Sequence, residues 1–313
     1  MSGTVLSVKN LVKRYKEKTA LDHFNLEAAK GEVLGLLGPN GCGKTTVINC
    51  ILALLKYSKG EIRLFNEPMR PDAFDIKRKI GLVPQEVSVH YDFTVQQNVD
   101  YFCGLYIPDA ARRKALVAET IDFVGLTNYR SYKAKKLSGG LLRRLNIACG
   151  IAHKPELIFL DEPTVAVDAQ SRNFILSGIK ELARTGSTII YTTHYLEEVE
   201  QLCSRIVIMD GGRDIADGTL DELKTLIRTS EKVIVAFVAL QDNLQEDLKR
   251  IPHVVDVVQN GNEFCITFEN SINNLNELIL FINNRQLAYT KLYSELPSLN
   301  DIFLELTGKE LRD

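Results

Sequence analysis

Up to about residue 220, short runs that are apolar without a break alternate with longer stretches whose apolar positions recur at helical spacing. Unbroken apolar runs belong to strands buried on both faces. Their alternation with helical patterns is the signature of a mainly parallel sheet with crossover helices. GEVLGLLGPNG, residues 31 to 41, predicts a strand that runs into a glycine turn, and TTVINCILALL, from Thr45, predicts the helix after it. LIFLDEP (157 to 163) and STIIYTTH (187 to 194) predict two further buried strands. RIVIMDGGRDIADG (205 to 218) predicts a closing hairpin, which puts the end of this domain near residue 222.

From residue 223 to 313 the pattern changes. VIVAFVAL predicts a strand and LQDNLQEDLKRI a helix. VVDVVQ and EFCITFE predict two strands joined by Asn260, Gly261 and Asn262. SINNLNELILFINNR predicts a second helix and AYTKLYSEL a fourth strand. Ser298 and Asp301 then form a capping box for SLNDIFLELTG. The order βαββαβ is that of a small α+β, ferredoxin-like unit.

Composition narrows the function classes. A net charge of −2 and an isoelectric point near 6.3 offer no general reason to bind nucleic acid. The six cysteines, Cys42, Cys50, Cys103, Cys149, Cys203 and Cys265, lack CxxC spacing, so neither a zinc site nor a disulfide scaffold is indicated. MSGTVLSVKN does not read as a secretory signal. The longest apolar stretches, VIVAFVAL and LILFI, fall far below the roughly 18 residues of a membrane-crossing helix, so work at a membrane requires a partner.

The chemistry begins at Gly38-Pro39-Asn40-Gly41-Cys42-Gly43-Lys44-Thr45, a G-x-x-x-x-G-K-[ST] loop between strand and helix. Such glycines let backbone N–H groups turn inward around phosphate oxygens, and the helix start adds a positive field. Lys44 is expected to neutralise the β- and γ-phosphates, and Thr45 to offer its hydroxyl to magnesium. Asp161 and Glu162 stand where a buried strand emerges. One carboxylate can hold magnesium through its water shell, and the other can take a proton from an attacking water.

With LSGG at residues 137 to 140, the chain resembles the ATP-binding subunit of an ATP-binding cassette transporter over roughly residues 4 to 220. The resemblance implies an α/β P-loop NTPase with a mainly parallel core sheet, an antiparallel β-subdomain and a helical subdomain at about 87 to 150. It implies ATP and Mg2+ as ligands, ATP hydrolysis, and a head-to-tail pair of subunits, with a homodimer expected first and one copy beside a close relative as the alternative. Thr46 joins the phosphate loop, Tyr15 stacks on adenine, and Gln85 reaches magnesium and the attacking water. His194 contacts the γ-phosphate, and Lys44, Gln85, Glu162 and His194 form the catalytic set. Thr45, Gln85 and Asp161 hold the metal, while Ser138, Gly139, Gly140 and Asp168 act across the dimer on the partner's nucleotide. That explains why LSGG contains no lysine, since the opposite loop supplies it. The family's partner is an integral-membrane permease, which places the chain on the cytoplasmic face of the membrane.

Two departures stand out. Leu141 occupies a position where many members have glutamine, and VAVD (165 to 168) replaces the frequent SGLD with bulkier residues. Cys42 within the loop leads to the expectation that its alkylation blocks nucleotide. FTVQQNVDYFCGLY (93 to 106) and the tail SLNDIFLELTGKELRD resemble drug-, antibiotic- and polysaccharide-exporting subunits, the tail in particular the daunorubicin-type and sodium-extruding ones. Within that resemblance the C-terminal unit is a packing or dimerisation unit or a regulatory site. Cassette ATPases acting on ribosomes usually carry two cassettes, and this chain has one. DNA-repair relatives separate loop and signature by coiled coils, and no heptad run lies between residues 46 and 136. A nucleotide-binding regulator with little turnover is the third alternative.

Overall fold

The computed structural model describes residues 3–16, 18–227, 229–241, 243–269, 274–295 and 297–308. The first residues of the helix expected from Ser271, the last of the strand expected to Leu296, and the end of the tail lie outside them. The chain divides into two compact units, with the change between Thr219 and Leu220.

In the first unit the elements are β1 (Thr4–Tyr15), β2 (Lys18–Ala29), β3 (Val33–Leu37), α1 (Lys44–Ile51), β4 (Lys59–Leu64), β5 (Glu67–Pro68), α2 (Phe74–Lys77) and β6 (Ile80–Val83). There follow α3 (Val95–Gly104), α4 (Ala110–Phe123), α5 (Gly139–Ile151), β7 (Leu157–Asp161), α6 (Ala169–Arg184), β8 (Thr188–Thr193), α7 (Leu196–Leu202), β9 (Arg205–Asp210) and β10 (Arg213–Gly218). The core sheet runs β10-β9-β3-β8-β7-β6, parallel except for the β9–β10 hairpin. A second, antiparallel sheet has the order β2-β1-β4-β5.

The unbroken apolar character of the core strands has a direct cause. Leu157 and Phe159 of β7 join one apolar layer with β1, β2, β4 and α1, whereas Ile158 and Leu160 join the layer that packs α3, α5 and α6. Strands with a hydrophobic layer on each side lose the in-out alternation of half-exposed strands. The helical segment is fixed by caps: Thr94 and Gln97 form a capping box at α3, Asp109 caps α4 and Ser138 caps α5.

In the second unit α8 (Leu220–Lys224) precedes β11 (Thr229–Phe237), α9 (Leu244–Leu248), β12 (Val254–Asn260), β13 (Glu263–Glu269), α10 (Asn274–Asn284), β14 (Tyr289–Glu295) and α11 (Leu299–Thr307). The sheet order is β14-β11-β13-β12, all antiparallel, which is the split arrangement of a ferredoxin-like unit. α9 is shorter than LQDNLQEDLKRI predicts, because Asn243, in a left-handed conformation, breaks the start of the pattern. The capping box of Ser298 and Asp301 is present at α11. Among the described residues no helix is long and apolar enough to cross a membrane.

Candidate active site

The carboxyl ends of β3, β6, β7 and β8 deliver the site, as expected where parallel strands open onto helix starts. The loop after β3 turns into α1 through Gly43 at φ 117, a left-handed conformation in which a side chain is strained. Asn40, Gly41, Gly43, Lys44, Thr45, Thr46, Gln85 and Glu162 line a cleft of about 170 Å³. Lys44 is buried, and its Nζ donates to the carbonyls of Gly38 at 2.7 Å and Pro39 at 3.3 Å. Its ammonium also lies 3.8 Å from Glu162 Oε1. The loop thus folds around its own lysine, ready to exchange carbonyls for an anion.

Glu162 is buried at φ 47, a strained conformation for a non-glycine residue. Its N–H donates to both the carbonyl and the hydroxyl of Thr192, at 3.1 and 3.0 Å, which holds the turn. Gln85 Nε2 donates to Glu162 Oε2 at 3.0 Å, and His194 Nδ1 lies 3.5 Å from Oε1. That histidine nitrogen is buried and without a hydrogen-bond partner. Thr45 Oγ1 donates to Asp161 Oδ2 at 2.9 Å, and Thr192 Oγ1 to Asp161 Oδ1 at 2.6 Å. The paired Thr45 hydroxyl and Asp161 carboxylate, with the Gln85 side chain lining the same cleft as Thr45, offer the hard oxygen donors that Mg2+ takes.

Of the residues expected from sequence, Asn40, Gly41, Gly43, Lys44, Thr45, Thr46, Gln85, Asp161, Glu162 and His194 come together here. Gly38 and Pro39 contribute their carbonyls to Lys44. Tyr15 ends β1 with its side chain about half exposed and one face of its ring under the Lys13 ammonium, 4.5 Å from the centroid. Ser138, Gly139, Gly140 and Asp168 do not line the cleft. They gather at another place. Ser138 caps α5, Asp168 caps α6 through Ser171, and a Cβ on Gly140 would stand 2.1 Å from Ser171 Oγ. Only glycine fits where α5 and α6 approach so closely. The two hydrogen bonds from Ser171 hold the Asp168 carboxyl below its usual range.

Cys42 and the VAVD segment each have a structural consequence. The Cys42 thiol is buried rather than presented to the cleft, and burial pushes its pKa up, with Lys44 opposing. Thiol reagents act on the thiolate. Native Cys42 is therefore expected to resist iodoacetamide at neutral pH and to react once urea unfolds the chain; fast modification of the native chain, read by mass spectrometry, would contradict this burial. The departure VAVD also has a backbone consequence. Ala166 adopts φ 59, in the left-handed region, where the frequent SGLD has glycine. Ala166→Gly removes a steric cost of about 1 to 2 kcal/mol, less about 0.4 to 1 kcal/mol for glycine's freer unfolded chain. The expected result is a melting midpoint raised by up to about 4 °C. A lowered midpoint would show that the Ala166 methyl group contributes packing.

Sequence reasoning missed Arg143 as a contributor. It is buried, and its Nη1 donates to the Gln85 carbonyl at 2.8 Å and to that of Pro84 at 3.3 Å, fixing the segment that carries Gln85. Burial lowers its pKa, and the charge of Glu162 opposes that. It also missed Thr192, because a hydroxyl within an apolar strand reads as part of the core.

A phosphate loop opposed by two carboxylates, a glutamine and a histidine, on a six-stranded core sheet with an antiparallel sheet beside it, defines a P-loop nucleoside triphosphatase of the cassette type. Residues 21–165 match the ABC transporter family, and residues 218–307 match the C-terminal domain of DrrA1-3-like ATP-binding proteins. The chain belongs to the ABC transporter ATP-binding proteins that carry this C-terminal domain, and it is an ATPase. It is 36% identical over 311 residues to the linearmycin resistance ATP-binding protein LnrL of Bacillus subtilis, covering 99% of this chain and all of the relative. It is 32% identical to the Nod factor export ATP-binding protein I of Paraburkholderia xenovorans, with both chains fully covered. With the daunorubicin resistance ATP-binding protein DrrA3 of Streptomyces coeruleorubidus it shares 31%, covering 100% of this chain and 98% of the relative. Among solved structures, the ATP-binding cassette MJ0796, a dimer in a post-hydrolysis state bound to ADP and Pi, matches with TM-score 0.63 and 28% identity. That match covers 69% of this chain and 98% of the cassette.

Proposed function

We propose that this chain powers export of a substrate through a separate membrane permease, at whose cytoplasmic face two copies bind and hydrolyse Mg-ATP between them. The observation that carries the ATPase half of this reading is the Glu162 carboxylate, set among Lys44, Gln85 and His194 at the phosphate-loop cleft. The export half is supported by relatives of full length that act in drug resistance and Nod factor export.

In this reading Lys44 leaves the carbonyls of Gly38 and Pro39 for the β- and γ-phosphates, and the loop residues Gly38 to Thr46 wrap the triphosphate. Tyr15 offers its free face to adenine. Thr45, Asp161 and Gln85 would hold Mg2+, which when bound would neutralise developing phosphate charge. Glu162 takes the proton of the attacking water, and His194 donates to the γ-phosphate. Ser138, Gly139 and Gly140 of one copy close the site of the other, with Asp168 beside them. Phosphoryl transfer depends mainly on positioning and electrostatics, so a site without its opposing signature turns over little.

The test is affinity purification of a tagged Glu162→Gln chain from detergent-solubilised cells with Mg-ATP, followed by mass spectrometry. A stoichiometric polytopic membrane protein supports the reading. Ribosomal proteins, or a stable dimer without a membrane partner, would refute the transport half.

A further inference from the structure

Glu198, on α7, is 3% exposed, and none of the roles above uses it. Its Oε2 accepts from three hydroxyls, Tyr191 at 2.7 Å, Thr193 at 2.8 Å and Thr164 at 3.0 Å. Its Oε1 lies 3.6 Å from Arg172 Nε. A carboxylate so buried is costly unless donors and a counter-charge surround it, and here they come from three separate elements. Burial and the Glu198 charge together raise the Tyr191 pKa well above its usual value, so the phenol keeps the proton it donates.

The positions of these partners matter more than their number. Thr164 follows Glu162 by two residues, and Thr193 directly precedes His194. The Thr193 hydroxyl donates to Glu198 and accepts the Tyr195 N–H at 3.0 Å, so it anchors the backbone on both sides of His194. The Arg172 guanidinium lies over the Tyr195 ring at 4.5 Å, and that ring sits 4.3 Å from the ring of His194. Arg172 belongs to the first turn of α6, the helix capped by Asp168 and touched by Gly140.

We propose that Glu198 is a positioning residue for ATP hydrolysis. It ties the segment that carries Glu162 to the segment that carries His194, and through Arg172 it ties both to the helix start against which the signature glycine packs. Without its charge, Arg172 loses a buried counter-ion and the three hydroxyls lose a shared acceptor. The two segments can then shift apart by the ångström that matters for in-line attack. The inference rests on Glu162 and His194 acting as base and phosphate contact.

The test compares steady-state turnover of the full chain and its variants with Mg-ATP. Glu198→Gln and Thr193→Val are expected to lower kcat about 10- to 100-fold, with KM for ATP within about twofold of the parent. Thr193→Ser, which keeps the hydroxyl, is expected to restore turnover. Parental kcat in both Glu198→Gln and Thr193→Val, a change confined to KM, or a Thr193→Ser as impaired as Thr193→Val would each overturn the proposal. If Glu198→Gln does not fold, the Thr193 pair decides alone. Glu162→Gln separates the two levels: parental turnover there overturns the base assignment, whereas an inactive Glu162→Gln beside fully active Glu198→Gln and Thr193→Val overturns only the positioning role.

Discussion

Glu162→Gln is expected to bind Mg-ATP with nearly parental affinity, to lose turnover by about 10²- to 10⁴-fold, and to accumulate as a nucleotide-bound dimer. The amide preserves the shape of the side chain and can still pair with Gln85, which donates to Oε2 at 3.0 Å in the parent. What it removes is the basic oxygen near Lys44 and His194 that takes the proton of water. It also removes a negative charge from a cleft that must accept a triphosphate, so nucleotide affinity has no electrostatic reason to fall. Size-exclusion chromatography with Mg-ATP, beside a phosphate-release assay, reads both effects. Strictly monomeric elution would count against hydrolysis as the event that reopens a dimer, and undiminished phosphate release would remove Glu162 from the base role.

Lys44→Ala should act on binding instead. Lys44 is a buried cation whose present partners, two loop carbonyls and a carboxylate 3.8 Å away, are those a phosphate displaces. Charge-assisted contacts to phosphate are roughly twice as strong as neutral ones. Without the ammonium, Glu162 is left facing the phosphates across the cleft with nothing to offset its charge. ATP affinity is expected to fall about 100-fold or more, close to 3 kcal/mol, when measured by fluorescent-nucleotide titration. Lys44→Arg is expected to fail as well, because a planar guanidinium cannot replace a compact ammonium in a loop that closes around it. Affinity within threefold of the parent would mean that the loop's backbone N–H groups and α1 bind the triphosphate by themselves.

Local pattern alone determined much of this protein. The phosphate loop and the carboxylate pair after LIFL are short contiguous motifs whose chemistry is written in residue type and spacing, whereas LSGG is equally short but takes its meaning from the family resemblance. The parallel core strands were legible for a physical reason as well. Leu157 to Asp161 and Thr188 to Thr193 are buried on both faces, and that leaves an unbroken apolar run no half-exposed strand can show.

Only the tertiary structure decided which groups meet. Cys42 stands inside the loop motif, yet its thiol turns into the core, because backbone direction rather than sequence position chooses which side a loop residue faces. Asp168 caps its own helix, and Gly140 is required by a contact with Ser171, 31 positions away. Arg143, Thr192 and Glu198 sit in a signature helix, an apolar strand and an acidic helix start, where each reads as ordinary. They acquire roles only because β6, β7 and β8 end side by side and bring Gln85, Glu162 and His194 within reach of one another. Sequence spacing carries chemistry that neighbours along the chain perform. Chemistry shared by distant segments, such as the Gln85–Glu162 hydrogen bond across 77 residues and the Thr45–Asp161 hydrogen bond across 116, exists only once the sheet has set their register.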